Sequence, residues 1–188
     1  NRGGGIGLLG FGTQYNIQLT GCYFYQNEAM VQGGGLNLSN NFGNRTLRID
    51  SCRFEENGGV LFSGGAVNIN TSNNMPAIVI SNSLFLKNVS QNPILGGNTS
   101  GSVLFLNTGF GLSDEEDLIL SNCEFIENVG DEGCLVFFES KIKIEYSNFL
   151  KNISKDGGGA FFSSSNELFI SDCSFIGNKA TEDGGGII

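Results

Sequence analysis

LRIDSCRFEEN, residues 47–57, decides the fold. Leu47 and Ile49 alternate with Arg48 and Asp50. After a kink at Ser51 the alternation resumes, with Cys52 and Phe54 set against Arg53 and Glu55. A period of two with one apolar set marks strands that bury one face. The stretch recurs along the chain. The phrase F-x-x-N stands at Phe24–Asn27, Phe54–Asn57, Phe85–Asn88, Phe125–Asn128, Phe149–Asn152 and Phe175–Asn178. Five and seven positions before each of these phenylalanines is an apolar pair: Ile17/Leu19, Leu47/Ile49, Ile78/Ile80, Leu118/Leu120, Ile142/Ile144 and Leu168/Ile170. Two positions before is a Cys or a Ser: Cys22, Cys52, Ser83, Cys123, Ser147 and Cys173. Glycine pairs or triplets follow most of the asparagines. No sustained 3.6-residue period occurs, so helices are not expected.

A self-similar sentence of this length is the mark of a solenoid. Apolar segments after the glycines (Leu36/Leu38, Val67/Ile69, Val103–Leu106, Leu135–Phe138, Ala160–Phe162) bring each repeat to about three short strands. One repeat cannot bury its apolar face alone, so successive repeats must stack. The closest phenylalanines, Phe125 and Phe149, leave room for a three-sided coil with almost no loop. Longer coils carry their excess at 40–45, 71–76, 91–101 and 108–117, all polar or turn-rich. The expected fold is an all-β, three-sided parallel solenoid of about six to seven coils, one segment over residues 1–188. With a rise of about 4.8 Å per coil, six coils make a rod about 29 Å long.

The glycine phrases are G-G-G-I at 3–6, G-G-G-L at 33–36, G-G-A-V at 64–67, G-G-G-A at 157–160 and G-G-G-I at 184–187. F-x-x-N alternating with G-G-A-[ILV] resembles the repeat of the chlamydial polymorphic outer-membrane proteins, which is also seen in large surface proteins of some protists. The resemblance covers essentially the whole chain. It implies a right-handed parallel β-helix of the pectate-lyase type in a secreted or surface-displayed protein, with links to adhesion and autotransport. No membrane-barrel segment is present here to carry the autotransport part. Gly3–Leu9 and Gly184–Ile188 repeat the same phase without a polar cap. The expectation is therefore a solenoid uncapped at both ends, continued by further coils of the same chain or by end-to-end self-association.

In such a stack Asn27, Asn57, Asn88, Asn128, Asn152 and Asn178 form a structural ladder, buried and hydrogen-bonded at one corner. The phenylalanines form an aromatic column beside it. The cysteines read as core thiols. Cys123 and Cys173 lie two coils apart, beyond disulfide reach, and a bond between Cys22 and Cys52 in adjacent coils would be strained. Six N-x-[S/T] sequons occur. Asn88 and Asn152 are ladder residues, so the glycosylation candidates are Asn44 and Asn98 in insertions, Asn70 at a strand end and Asn37 on an outward strand position. Asp114-Glu115-Glu116-Asp117 reads as a solvated loop. Its spacing lacks the D-x-D-x-D-G pattern of a calcium loop, and whether it holds calcium stays open.

A net charge of −9 argues against nucleic acid and anionic membranes as partners, and no apolar run reaches the roughly 20 residues of a spanning helix. Three-sided β-helices can cleave acidic polysaccharides, and such chemistry needs a base and cations focused on one spot. This chain has no histidine, and its ten Lys and Arg are dispersed along the coils. No catalytic, cofactor-binding or metal residue is expected. The leading reading is a non-enzymatic extracellular or cell-surface stalk or filament segment. The alternative is an adhesin whose insertions bind a receptor or glycan. A polysaccharide lyase or hydrolase ranks third.

Overall fold

The computed structural model describes residues 4–9, 16–39, 46–59, 64–70, 77–90, 103–107, 118–131, 133–138, 141–155, 158–164, 167–181 and 185. The described residues are all β. Their strands fall into four stacks of six, and every pairing is parallel. Within each stack, strand order follows chain order, consistent with a β-solenoid. Sheet 1 begins at Ile6–Leu9 and ends at Phe161–Ser164. Sheet 2 runs from Ile17–Thr20 to Glu167–Ser171, and sheet 3 from Tyr23–Tyr25 to Ser174–Ile176. Sheet 4, of two-residue strands, runs from Glu28–Ala29 to Lys179–Ala180.

Each repeat thus holds four strands where about three were expected. The reason is local. The F-x-x-N phrase bends at the residue before its asparagine, where the backbone turns left-handed: Gln26, Glu56, Lys87, Glu127 and Lys151 have φ of 52–54°, and Gly177 has 65°. A second left-handed column, Gly21, Ser51, Asn82, Asn122, Tyr146 and Asp172, separates sheets 2 and 3. Single residues in this region turn the chain sharply without a loop, at an energetic cost for any side chain bearing a Cβ. Ser51 is the kink legible in the opening stretch.

Register is constant. Phe24, Phe54, Phe85, Phe125, Phe149 and Phe175 pair one above another through sheet 3. Their rings stack at centroid separations of 4.5–5.0 Å, with interplanar angles of 1–6°. The four middle rings are completely buried, each adding roughly 1.5–3 kcal/mol over an exposed side chain. Leu47/Ile49, Ile78/Ile80, Leu118/Leu120 and Ile142/Ile144 fill the core from sheet 2. The glycine phrase packs against the phenylalanine rings and against sheet 4. A Cβ on Gly34 would stand 2.3 Å from the Gly58 carbonyl oxygen and 2.5 Å from that of Gly65, so the backbones meet where a side chain would be. A Cβ on Gly35 would meet the Phe54 ring at 3.0 Å. The two halves of the repeated phrase are therefore packing partners.

Sheet 1 differs from the other sheets. Leu36, Leu38, Val67, Ile69, Leu104 and Leu106 face the core, yet Asn37, Ser39, Asn68 and Phe105 on the opposite face are buried as well. A sheet covered on both sides needs near-continuous apolar strands, and VLFL at 103–106 and LVFF at 135–138 have that composition.

Candidate functional site

Three groupings of polar side chains could carry function: the asparagine column, the sequon asparagines and the outer faces of sheets 2 and 3. In the column, each amide spans three coils. Asn57 donates from its backbone N–H and from Nδ2 to Oδ1 of Asn88, both at 3.0 Å, and donates from Nδ2 to the Phe24 carbonyl at 3.0 Å. Asn88, Asn128 and Asn152 repeat the pattern at 2.9–3.1 Å. Oδ1 of Asn57 in turn accepts from the backbone and side chain of Asn27. A primary amide has two donor hydrogens and two acceptor sites, and these four residues use all of them. They are fully buried, so the column is structural and offers nothing to a ligand. Asn27 and Asn178, expected to be buried too, are only half-buried, because each has a described neighbouring coil on one side alone.

The Cys/Ser column behaves alike. The Ser83 and Ser147 hydroxyls donate to the carbonyls two residues back at 2.7 and 2.9 Å and accept the backbone N–H of Cys52 and Cys123, both at 3.1 Å. The thiols of Cys52, Cys123 and Cys173 make the same donation to residue i−2 at 3.1–3.4 Å. All five cysteines are free thiols. Burial pushes Cys123 up to about 11 and Cys134 well above the ordinary thiol value, so both stay protonated and unreactive at neutral pH.

Of the glycosylation candidates, Asn44 and Asn98 lie outside the described residues, and Asn70 ends its strand half-buried. Asn37 corrects the sequence reading. Its position in the strand faces away from the core, but its exposure is 0 %. Oδ1 of Asn37 accepts from Nδ2 of Asn68 at 2.6 Å and from the Ser39 hydroxyl at 3.2 Å, while its own Nδ2 is buried without a partner. Alternation predicts exposure for Asn37, but sheet 1 is covered on its outer face at Asn37, Ser39, Asn68 and Phe105. The run of apolar residues in its later strands was the available signal. The acidic run 114–117 and the four insertions lie outside the described residues.

On the outer faces, polar side chains pair with one another across coils. Glu55 accepts from the Tyr23 hydroxyl at 2.6 Å and from Arg53 at 2.8–2.9 Å. The Tyr23 bond, helped by the Arg53 charge, holds the Glu55 carboxyl below its usual range and pushes the phenol up. Tyr25 stacks on Tyr23 at 5.6 Å, and Gln26 bonds Glu56 at 2.9 Å. This corner, with Tyr23 58 % and Tyr25 46 % exposed, is a cluster that sequence reasoning passed over. Asp50 accepts from Ser81 at 2.6 Å and Asn82 at 2.8 Å, which draws its carboxyl below the usual value. Further along, Glu127 lies 3.9 Å from Lys87 and 4.0 Å from Lys151, and Lys143 pairs with Glu145 at 3.0 Å. Exposed pairs of this kind contribute about 0–1 kcal/mol each. Comparison with protein-family models, with curated proteins and with solved structures finds no match.

Proposed function

We propose that the chain is a stiff, non-enzymatic structural segment of an extracellular or cell-surface protein. In this reading it is a right-handed, three-sided parallel β-helix of the kind its F-x-x-N and G-G-A repeat resembles, continued along its axis by further coils or by other copies. The observation that carries it is the constancy of the inward columns. Phe over Phe and Asn over Asn keep one register through six coils, while the outward residues change from coil to coil. Such a lattice specifies length and stiffness along one axis. Right-handed crossovers are the rule where parallel strands of one sheet are joined, which supports the hand. The two-residue strands of sheet 4 follow sheet 3 after one left-handed residue and the asparagine, so both count as one bent face of three. In this reading the insertions and the end of sheet 1 carry glycans at Asn44, Asn98 and Asn70. Nucleic acid is not a partner and this segment does not insert into a membrane. Sedimentation velocity of the 188-residue chain at rising concentration tests it, read beside negative-stain images. End-to-end oligomers longer than about 29 Å are expected from six rungs of about 4.8 Å. A monodisperse monomer at high concentration would argue against it.

One observation favours the second reading, an adhesin. Tyr23 and Tyr25 leave their rings in solvent beside Arg53 and Glu55, and aromatic faces flanked by hydrogen-bonding groups suit the apolar face of a sugar. Glycan-array binding that disappears with Tyr25→Ala would move the assignment from stalk to adhesin.

A further inference from the structure

We propose that Cys22 and Cys52 are a redox-active dithiol that closes into a disulfide, clamping the first described coil onto the second. The pair is singled out by register. Thr20 pairs with Asp50 and Tyr23 with Arg53, so the two cysteines between them lie directly above one another, and the Arg53 N–H donates to the Cys22 carbonyl at 2.8 Å. A rung of about 4.8 Å falls inside the Cα separation of roughly 4.4–6.8 Å that disulfides span. No other two cysteines qualify. Ser83 stands between Cys52 and Cys123, Ser147 stands between Cys123 and Cys173, and Cys134 belongs to the glycine side of the coil.

Parallel Cβ vectors on a regular ladder would hold the sulfurs apart, and here the local backbone answers that objection. Both cysteines follow the left-handed bend rather than sitting inside a strand. In five coils that bend is Ser51, Asn82, Asn122, Tyr146 or Asp172, whereas before Cys22 it is Gly21, with no atom within 4 Å of where its Cβ would stand. The one bend with a glycine's freedom and open space around it is the one that would have to tilt. What the thiols give up is small: Cys22 reaches the Thr20 carbonyl at 3.6 Å, and Cys52 reaches those of Leu19 and Asp50 at 3.6 and 3.3 Å.

The oxidant is a low-molecular-weight disulfide. The half-buried Cys22, as thiolate, attacks one of its sulfurs, forming a mixed disulfide and releasing one small thiolate. Cys52, on losing its proton, then attacks the Cys22 sulfur and displaces the second. Two protein thiols are oxidised, one small disulfide becomes two thiols, and the protons from the cysteines end on the released thiolates.

The test is to incubate the folded chain with oxidised glutathione, quench with acid, denature, alkylate and map peptides by mass. The expected result is a Cys22–Cys52 cross-linked peptide, with three of the five thiols still alkylated. The oxidised form should also show slower hydrogen exchange in the strands Ile17–Thr20 and Tyr23–Tyr25. Cys52→Ser places in this coil the residue that Ser83 and Ser147 supply in others, and should stop the reaction at a stable glutathione adduct on Cys22. Cys22→Ser should leave no cross-link and all four remaining thiols alkylated. A persistent glutathione adduct on Cys22 of the unsubstituted chain would overturn the proposal, as would five free thiols or a cross-link to another cysteine.

Discussion

At the scale of single residues, satisfaction of buried polar groups governs what each column tolerates. Asn128 shows why. Its Oδ1 accepts two bonds from Asn88, and its Nδ2 holds the Phe85 carbonyl and Oδ1 of Asn152. Asn128→Leu is close in volume but leaves those neighbours buried without partners, so it should destabilise by about 1–3 kcal/mol, measured by denaturant unfolding. A neutral result would mean that water reaches the column. Ser and Cys interchange two positions before the phenylalanine for the same reason, since either can donate to the carbonyl of residue i−2. Asp50 supplies a pH test. Its donors, Ser81 first and Asn82 second, lower its carboxyl below the usual value. A carboxyl depressed on folding adds stability above its unfolded value of about 3.9, and that stability is lost as pH falls through the folded value. Ser81→Ala should therefore raise the Asp50 pKa in a carbon-detected NMR titration. It should also lower stability at neutral pH, with the difference from the unsubstituted chain shrinking on acidification below pH about 4. A carboxyl that titrates at the same pH in both proteins would show that the Ser81 bond does not form in solution.

At the scale of elements, the bends are the strained parts. Among the described residues, ten with side chains adopt left-handed φ. Tyr146, at φ 52° and mostly exposed, is the clearest instance, since its ring gains little from burial. Tyr146→Gly should be neutral or stabilise by up to about 1 kcal/mol, whereas Tyr146→Val should destabilise by about 1–2 kcal/mol, because a β-branched side chain fits this conformation worst. Thermal unfolding of the two variants decides it, and equal midpoints would place the strain elsewhere. These bends mark the limit of what could be read. Alternation made sheets 2 and 3 legible residue by residue, and the fixed offset from Phe to Asn made both columns legible. The fourth strand was hidden because Gln26, Glu56, Lys87, Glu127 and Lys151 are not turn-forming residues; the stacked register imposes the bend on them. The covering of sheet 1 was legible in VLFL and LVFF, but the alternation of LNLS at 36–39 and VNIN at 67–70 pointed the other way.

At the scale of the molecule, the asparagine column has a direction. Every asparagine from Asn27 to Asn152 donates its backbone N–H and one Nδ2 hydrogen to the Oδ1 of the following coil, so the rod has an acceptor-presenting and a donor-presenting sense. The clusters on its flank were less legible than its interior. Tyr23, Arg53 and Glu55 come together only through the coil-to-coil register, a spacing of about thirty residues that no local motif reports. The same separation of inside from outside orders the sequons when the chain is made through a eukaryotic secretory pathway. A glycan is large and hydrated and must remain in solvent, so a chain carrying one on a fully buried asparagine cannot pair that strand. Asn88 and Asn152 are closed by the ladder, and Asn37 by the covered face of sheet 1 and its bond from Asn68. Asn70, half-buried at the end of its strand, is the described sequon with room, and Asn44 and Asn98 belong to insertions. Glycopeptide mass spectrometry of the folded, secreted chain should find hexosamine on Asn44, Asn98 and Asn70 and none on Asn37, Asn88 or Asn152. Hexosamine on Asn37 in folded material would mean that the outer face of sheet 1 is open, and on Asn152 that the ladder corner itself is turned outward.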